Sequence, residues 1–61
     1  MSSSARHAQA ARDSVESAAR HLDVPAPELS RDELAAALRH VRSAAGQIIQ
    51  AITAKTMEDR E

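Results

Sequence analysis

The chain has 61 residues and a formal net charge of −1, and it contains no Phe, Tyr, Trp or Cys. A chain of this length forms one small domain at most. The absence of cysteine excludes disulfides, thiolate zinc sites and cysteine nucleophiles, and the absence of aromatic residues removes base stacking as a way to bind nucleic acid.

No stretch of the sequence reaches the ~20 apolar residues of a transmembrane helix. The N-terminal segment MSSSARHAQA lacks the apolar region of a signal peptide. We therefore expect a cytoplasmic protein without a membrane span.

The first predicted element is a helix over residues 4–22. Ser2, Ser3 and Ser4 are candidate N-caps, and alanine, which is frequent here, has the highest helix propensity. Apolar residues recur three and four residues apart along this segment, at Ala8, Ala11, Val15, Ala18 and Leu22. Only Val15 and Leu22 are large, so we expect a light helix that packs closely against another one.

The second predicted element is a turn over residues 23–29, which contains Pro25 and Pro27. Each proline disfavours the helical conformation of the residue before it. A connector this short between two helices favours an antiparallel hairpin. Counting outward from a turn centred near Ala26, we expect Arg12 to lie opposite His40.

The third predicted element is a helix over residues 31–57. Ser30 and Glu33 form a Ser-x-x-Glu capping box, in which each side chain bonds to the backbone amide of the other residue. Acidic residues in the first turn also suit the positive end of the helix dipole. The remaining residues, 58–61, form a charged tail.

Large apolar residues in this helix follow the alternating four- and three-residue spacing of a heptad seam. We call this set the aliphatic stripe; it consists of Leu34, Leu38, Val41, Ala45, Ile48 and Ile52. An alanine row lies beside it, at Ala37, Ala44 and Ala51, where small side chains let two helices approach closely. We expect the opposite face to be polar and to carry Arg39, His40, Ser43, Gln47 and Gln50.

A two-helix hairpin covers only one side of such a seam, and chains this small usually need a partner, a disulfide or a metal. The sequence therefore predicts an all-α fold, an antiparallel two-helix hairpin that dimerises into a four-helix bundle. The second helix is longer than the first, so residues beyond Ile52 should overhang. The residues expected at the interface between chains are Leu34, Leu38, Val41, Ala45, Ile48, Ile52, Val15 and Leu22.

A second docking site for a protein partner is predicted at Gly46 and Ile49. Ile49 lies off the aliphatic stripe, and Gly46 precedes it by about one turn. Glycine inside a helix costs ~1 kcal/mol relative to alanine, and it lets another backbone approach closely. The alternative interpretation is a tolerated glycine beside a lone exposed isoleucine.

The sequence contains no recognisable catalytic, cofactor or metal site. His7, His21 and His40 do not have metal-ligand spacing, and Gly46 is the only glycine, so there is no phosphate-binding loop. We predict a non-enzymatic protein with no cofactor and no metal ion.

Three functions compete on this basis. The leading hypothesis is a small protein-interaction module, a homodimeric hairpin that acts as an adaptor, regulator or neutralising partner of an unidentified protein. The alternative is a nucleic-acid-binding regulator that uses a basic helix face formed by Arg12, Arg39, His40 and Arg42. The net charge of −1 opposes strong phosphate binding. Binding of an amphipathic helix to a membrane surface is the weakest hypothesis, because the seam has no aromatic residue.

Overall fold

The computed structural model describes residues 2–60, so Met1 and Glu61, the last residue of the predicted tail, lie outside it. Two α-helices, α1 (Ser3–His21) and α2 (Arg31–Asp59), pack against each other. The connector between them contains one 3₁₀ turn, Ala26–Glu28. Cross-helix pairs join the start of α1 to the end of α2, which makes the helices antiparallel. The prediction of an all-helical hairpin is therefore confirmed.

Both helices begin at a serine that caps the first turn. The Ser2 hydroxyl accepts a hydrogen bond from the Ala5 amide at 3.2 Å, and the Ser30 hydroxyl accepts one from the Glu33 amide at 3.1 Å. The Glu33 carboxylate does not complete the predicted capping box, because it bonds instead to His21 on α1 at 2.9 Å. The cap thus anchors α2 while its glutamate ties the two helices together.

Helix α2 runs past its predicted end at residue 57 and into the predicted charged tail. Its last turn carries an ion pair between Lys55 and Asp59 at 3.7 Å, four residues apart. Pairs with this spacing add a few tenths of a kcal/mol to a helix, roughly 0.2–0.5. The first residues of the tail are therefore helical.

The contact between the helices is made of alanine. Four alanines, which we call the alanine seam, are only 3–5% exposed; they are Ala11, Ala18, Ala37 and Ala44. No large side chain of residues 2–60 is fully buried. Alanine side chains let helix axes approach to the short end of the ~8–10 Å range. The predicted alanine row therefore faces α1.

Polar pairs lie between the alanine layers. His7 bonds to Gln47 at 2.8 Å, and the Ser14 hydroxyl bonds to Ser43 at 3.4 Å. These contacts contradict the expectation that Ser43 and Gln47 point away from α1. Both residues turn toward α1, where His7 and Ser14, seven residues apart, offer Gln47 and Ser43 a polar partner each.

A third polar layer closes the seam near the connector. The His21 and His40 rings stack with centroids 5.2 Å apart and an interplanar angle of 18°. His21 also bonds to Glu33 through its Nδ1 atom. His40 is consequently half-buried against α1 rather than on the outer face, where the sequence placed it.

The observed register between the two helices differs from the one expected for a turn centred on Ala26. The residue halfway between His21 and Glu33 is 27, and the residue halfway between Ser4 and Glu58 is 31. The pairing is therefore centred on the C-terminal side of Ala26. Because the Ser4 hydroxyl donates a hydrogen bond to Glu58, α1 reaches the last turns of α2, and the predicted overhang beyond Ile52 is wrong.

Candidate interaction surface

The aliphatic stripe of α2 lies immediately beside the alanine seam. Leu38 follows Ala37 and Ala45 follows Ala44, and one residue is a rotation of ~100° around a helix. On α1, Val15 follows Ser14, which contacts Ser43 of α2, by the same offset. In an antiparallel pair, equal offsets turn side chains of both helices toward the same side of the hairpin.

We call this side the aliphatic face, and it comprises all eight residues predicted to lie between chains: Val15, Leu22, Leu34, Leu38, Val41, Ala45, Ile48 and Ile52. The seven large side chains among them are 44–62% exposed. The hairpin thus collects seven of its large apolar residues on one surface and covers about half of each. Large exposed apolar patches on proteins often belong to surfaces that contact other molecules, which makes this face the candidate interaction surface.

An open groove of about 840 Å³ runs along part of the aliphatic face. It forms where α1 presents the small side chains of Ala5 and Ala8 beside Ile48 and Ile52 of α2. Arg12 of α1 and Lys55 and Asp59 of α2 also line it. The floor of the groove is apolar. Its polar lining consists of Arg12 and of residues near the ends of the helices, Ser4, Lys55, Thr56 and Asp59.

The four nucleic-acid candidates are not brought together. Arg12 lines the groove on the aliphatic face, whereas Arg39 and Arg42 line a separate shallow depression together with Asp32. His40 is stacked in the seam against His21, nine residues from Arg12 along α1. Nine residues span ~13 Å of helix, so Arg12 does not lie opposite His40.

Gly46 and Ile49 lie on parts of α2 that the hairpin leaves open. A Cβ atom added at Gly46 would meet nothing within 4 Å, and its φ angle is not positive. Ile49 is 64% exposed. Neither backbone conformation nor packing within the chain explains the glycine. The surrounding segment, residues 43–54, contains no charged residue, although 28% of the whole chain is charged.

The role of Glu58 was missed by the sequence interpretation, which assigned it to the charged tail. The Ser4 hydroxyl donates to its carboxylate and is the main reason that the pKa of Glu58 lies below its ordinary value of 4.5, while partial desolvation opposes the shift. A signal was present in the sequence, because Glu58 continues the seven-residue repeat of Ala37, Ala44 and Ala51.

Within residues 2–60, no three His, Cys, Asp or Glu side chains lie close enough together to hold a metal ion. Neither described helix combines the length and apolar character that crossing a membrane requires. Comparisons with protein-family models, curated proteins and solved structures found no match.

Proposed function

We propose that this chain is a small non-enzymatic protein-interaction module that works as a homodimeric helical hairpin, serving as an adaptor, regulator or neutralising partner of another protein. One observation carries the proposal. Seven large aliphatic side chains are about half exposed on one face, while the seam inside the hairpin buries only alanine.

The aliphatic face supplies a driving force for association. Complete burial of a Val, Leu or Ile side chain contributes roughly 1.5–3 kcal/mol, so the uncovered half of each residue is worth about 1 kcal/mol. A second hairpin placed on this face would bury seven such residues on each chain. The two apolar surfaces would then share one core.

The angular arrangement on α2 also supports a four-helix bundle. The alanine seam contacts α1, and the aliphatic stripe is rotated from it by ~100°. At the corner of a four-helix bundle each helix contacts two neighbours in directions about 90° apart. Helix α2 thus carries one contact surface for α1 and a second for a helix of another chain.

Sedimentation equilibrium at micromolar concentrations tests the homodimer, with interference optics because the chain has no aromatic chromophore. We expect a dimer whose thermal unfolding midpoint rises with protein concentration. Ile48→Asp should yield monomers, whereas Gln50→Asp, which adds the same charge off the aliphatic face, should leave the dimer intact. A folded monomer at all concentrations would refute the homodimer.

The surface proposed for a further protein partner is formed by Gly46 and Ile49, which a dimer made through the aliphatic face would leave accessible. Gly46→Leu fills the open space, and Ile49→Asp places a charge in an uncharged segment. Either change should abolish capture of the partner by a tagged chain while circular dichroism still reports a helical dimer. Retention of the partner by both variants would count against this surface.

The same chain allows a direct test of the nucleic-acid alternative, which the separation of Arg12 from Arg39 and Arg42 does not favour. Binding to mixed RNA and DNA at low salt should be no stronger than that of an acidic control protein. If nucleic acid does bind, the double variant Arg39→Ala, Arg42→Ala should weaken it and reduce its salt dependence by about one unit per lost phosphate contact.

A further inference from the structure

The two helices contribute unequally to the aliphatic face. Three of the six residues that α1 and its C-cap turn toward it are alanines; in chain order the six are Ala5, Ala8, Arg12, Val15, Ala19 and Leu22. The aliphatic stripe of α2 has five large side chains and only one small one, Ala45. Each chain therefore carries two rows of side chains on this face. We call the row on α1, with more small residues, the shallow row, and the aliphatic stripe of α2 the high row.

We propose that in the homodimer α1 of each chain lies against α2 of the other, so that the two-fold axis runs parallel to the helices. This arrangement rests on the proposed function, because it specifies how the second copy covers the aliphatic face. Each high row then packs into the shallow row of the partner. The four interfaces alternate around the bundle between alanine contacts within a chain and aliphatic contacts between chains.

The register inside the hairpin determines which side chains would meet. Rotation about an axis parallel to the helices leaves every residue at the same level, so residues that are level within one chain are also level across chains. Ala5 and Ala8 line the groove at the level of Ile48 and Ile52. The isoleucines of one chain therefore come to lie over the alanines of the other.

The same register also places a large side chain against a small one in the middle of the aliphatic stripe. The Ser14–Ser43 hydrogen bond places Val15 level with residue 42, beside Val41, and it places Arg12 level with Ala45. The longest side chain of the shallow row thus meets the one small residue of the high row. Large side chains face small ones at both levels, as interdigitated packing at interior density requires.

The other two-fold arrangement has its axis perpendicular to the helices, which pairs α2 with α2 and α1 with α1. Rows of alanine favour axes ~8 Å apart and rows of leucine and isoleucine ~10 Å, so the bundle would be wedge-shaped. An axis level with the middle of the stripe also brings the two Arg12 side chains within about one turn of each other. No carboxylate lies in the α1 row to offset that repulsion.

Disulfide cross-linking distinguishes the two arrangements cleanly, because the chain has no cysteine of its own. A disulfide requires Cα atoms within about 7 Å. An Ala8→Cys chain is mixed with an Ile48→Cys chain and, separately, with an Ile52→Cys chain. A Val41→Cys chain is mixed with an Ala45→Cys chain, which probes contact between α2 helices. After subunit exchange and oxidation, the linked species are identified by mass.

We expect linked heterodimers from at least one of the Ala8 mixtures and none from the mixture of the two α2 variants. Sedimentation of the reduced proteins separates two kinds of failure. Monomers would refute the homodimer itself, whereas dimers with any other linkage pattern would overturn only the arrangement of the helices.

Ala8→Leu gives a second test, in which the two arrangements predict opposite signs. In the proposed bundle an isoleucine of the partner occupies the space over Ala8, so the larger side chain should weaken dimerisation by about tenfold or more. In the perpendicular arrangement Ala8 faces other alanines, and leucine should fill the gap and strengthen the dimer. Ala10→Leu, on the other side of α1, is the matched control. Dimerisation unchanged or strengthened by Ala8→Leu relative to this control would contradict the proposal.

Discussion

Ile52 and Met57 provide a matched pair for testing whether the aliphatic face is covered by another chain. Both side chains are 62% exposed in the hairpin, and both lie in the C-terminal half of α2. Ile52 belongs to the aliphatic stripe, whereas Met57 continues the seven-residue repeat of Ser43 and Gln50 on the polar side. Truncation of either to alanine removes a similar volume of apolar side chain.

The size of the effect follows from the exposed fraction. Full burial of such a side chain contributes roughly 1.5–3 kcal/mol, so the third or so already buried is worth about 1 kcal/mol or less within one chain. In the dimer the remaining surface of Ile52 is covered on both chains, and its loss should total roughly 2–4 kcal/mol. Since ~1.4 kcal/mol is a factor of ten in an equilibrium constant, Ile52→Ala should raise the dimer dissociation constant about a hundredfold.

Sedimentation equilibrium measures that dissociation constant, and circular dichroism confirms that each variant is still helical. Met57→Ala should change the constant by less than about threefold, because a dimer formed through the aliphatic face buries no further surface of that side chain. Equal effects of the two substitutions would mean that the dimer does not form through the aliphatic face. An unchanged constant for Ile52→Ala would show that the residue stays exposed in the assembly.

Three further predictions concern the hairpin itself. Ser30→Ala should destabilise the protein by ~1 kcal/mol in chemical denaturation through loss of the cap, while Ser43→Ala, which loses only a 3.4 Å bond at the surface, should have little effect; equal losses would contradict the assigned start of α2. Gly46→Ala should stabilise the protein by up to ~1 kcal/mol, since the new methyl group meets no neighbour; a loss of stability would reveal an undetected contact. Ser4→Ala should raise the pKa of Glu58 in an NMR titration. Because folding lowers that pKa, ionised Glu58 contributes stability that is present above its ordinary pKa of 4.5 and is lost as the pH falls through the lowered value. An unchanged titration of Glu58 in the variant would rule out the Ser4 contact as the cause of the shift.

Local signals in the sequence were sufficient for the helices and the turn. Ser30 followed by Glu33 identifies the start of α2, and the helix begins at Arg31. Pro25 and Pro27 mark the connector, where the structure has a single 3₁₀ turn. These signals act over a few residues, so they do not depend on how the helices pack.

The face of α2 that meets α1 was harder to predict, because two seams with the same period lie side by side. The aliphatic stripe holds the larger residues and is predicted to lie between chains, while the alanine row predicts a close approach of two helices without indicating which two. In the hairpin the alanines make the closest contact, and the stripe stays half exposed. The decisive information lay on the other helix, where His7, Ser14 and His21 repeat every seven residues and offer polar partners.

The alanine seam limits how the two helices can move relative to each other. Alanine has no side-chain rotamer, so this interface loses no side-chain entropy on packing and cannot switch by rotamer exchange. Movement at this interface would therefore take the form of α1 sliding or rolling on α2 as a rigid body, a shear motion. The contacts that resist such sliding are the polar pairs between the helices: His21 with Glu33, Ser14 with Ser43, His7 with Gln47 and Ser4 with Glu58. These polar pairs, rather than the apolar residues, limit how far one helix can move along the other.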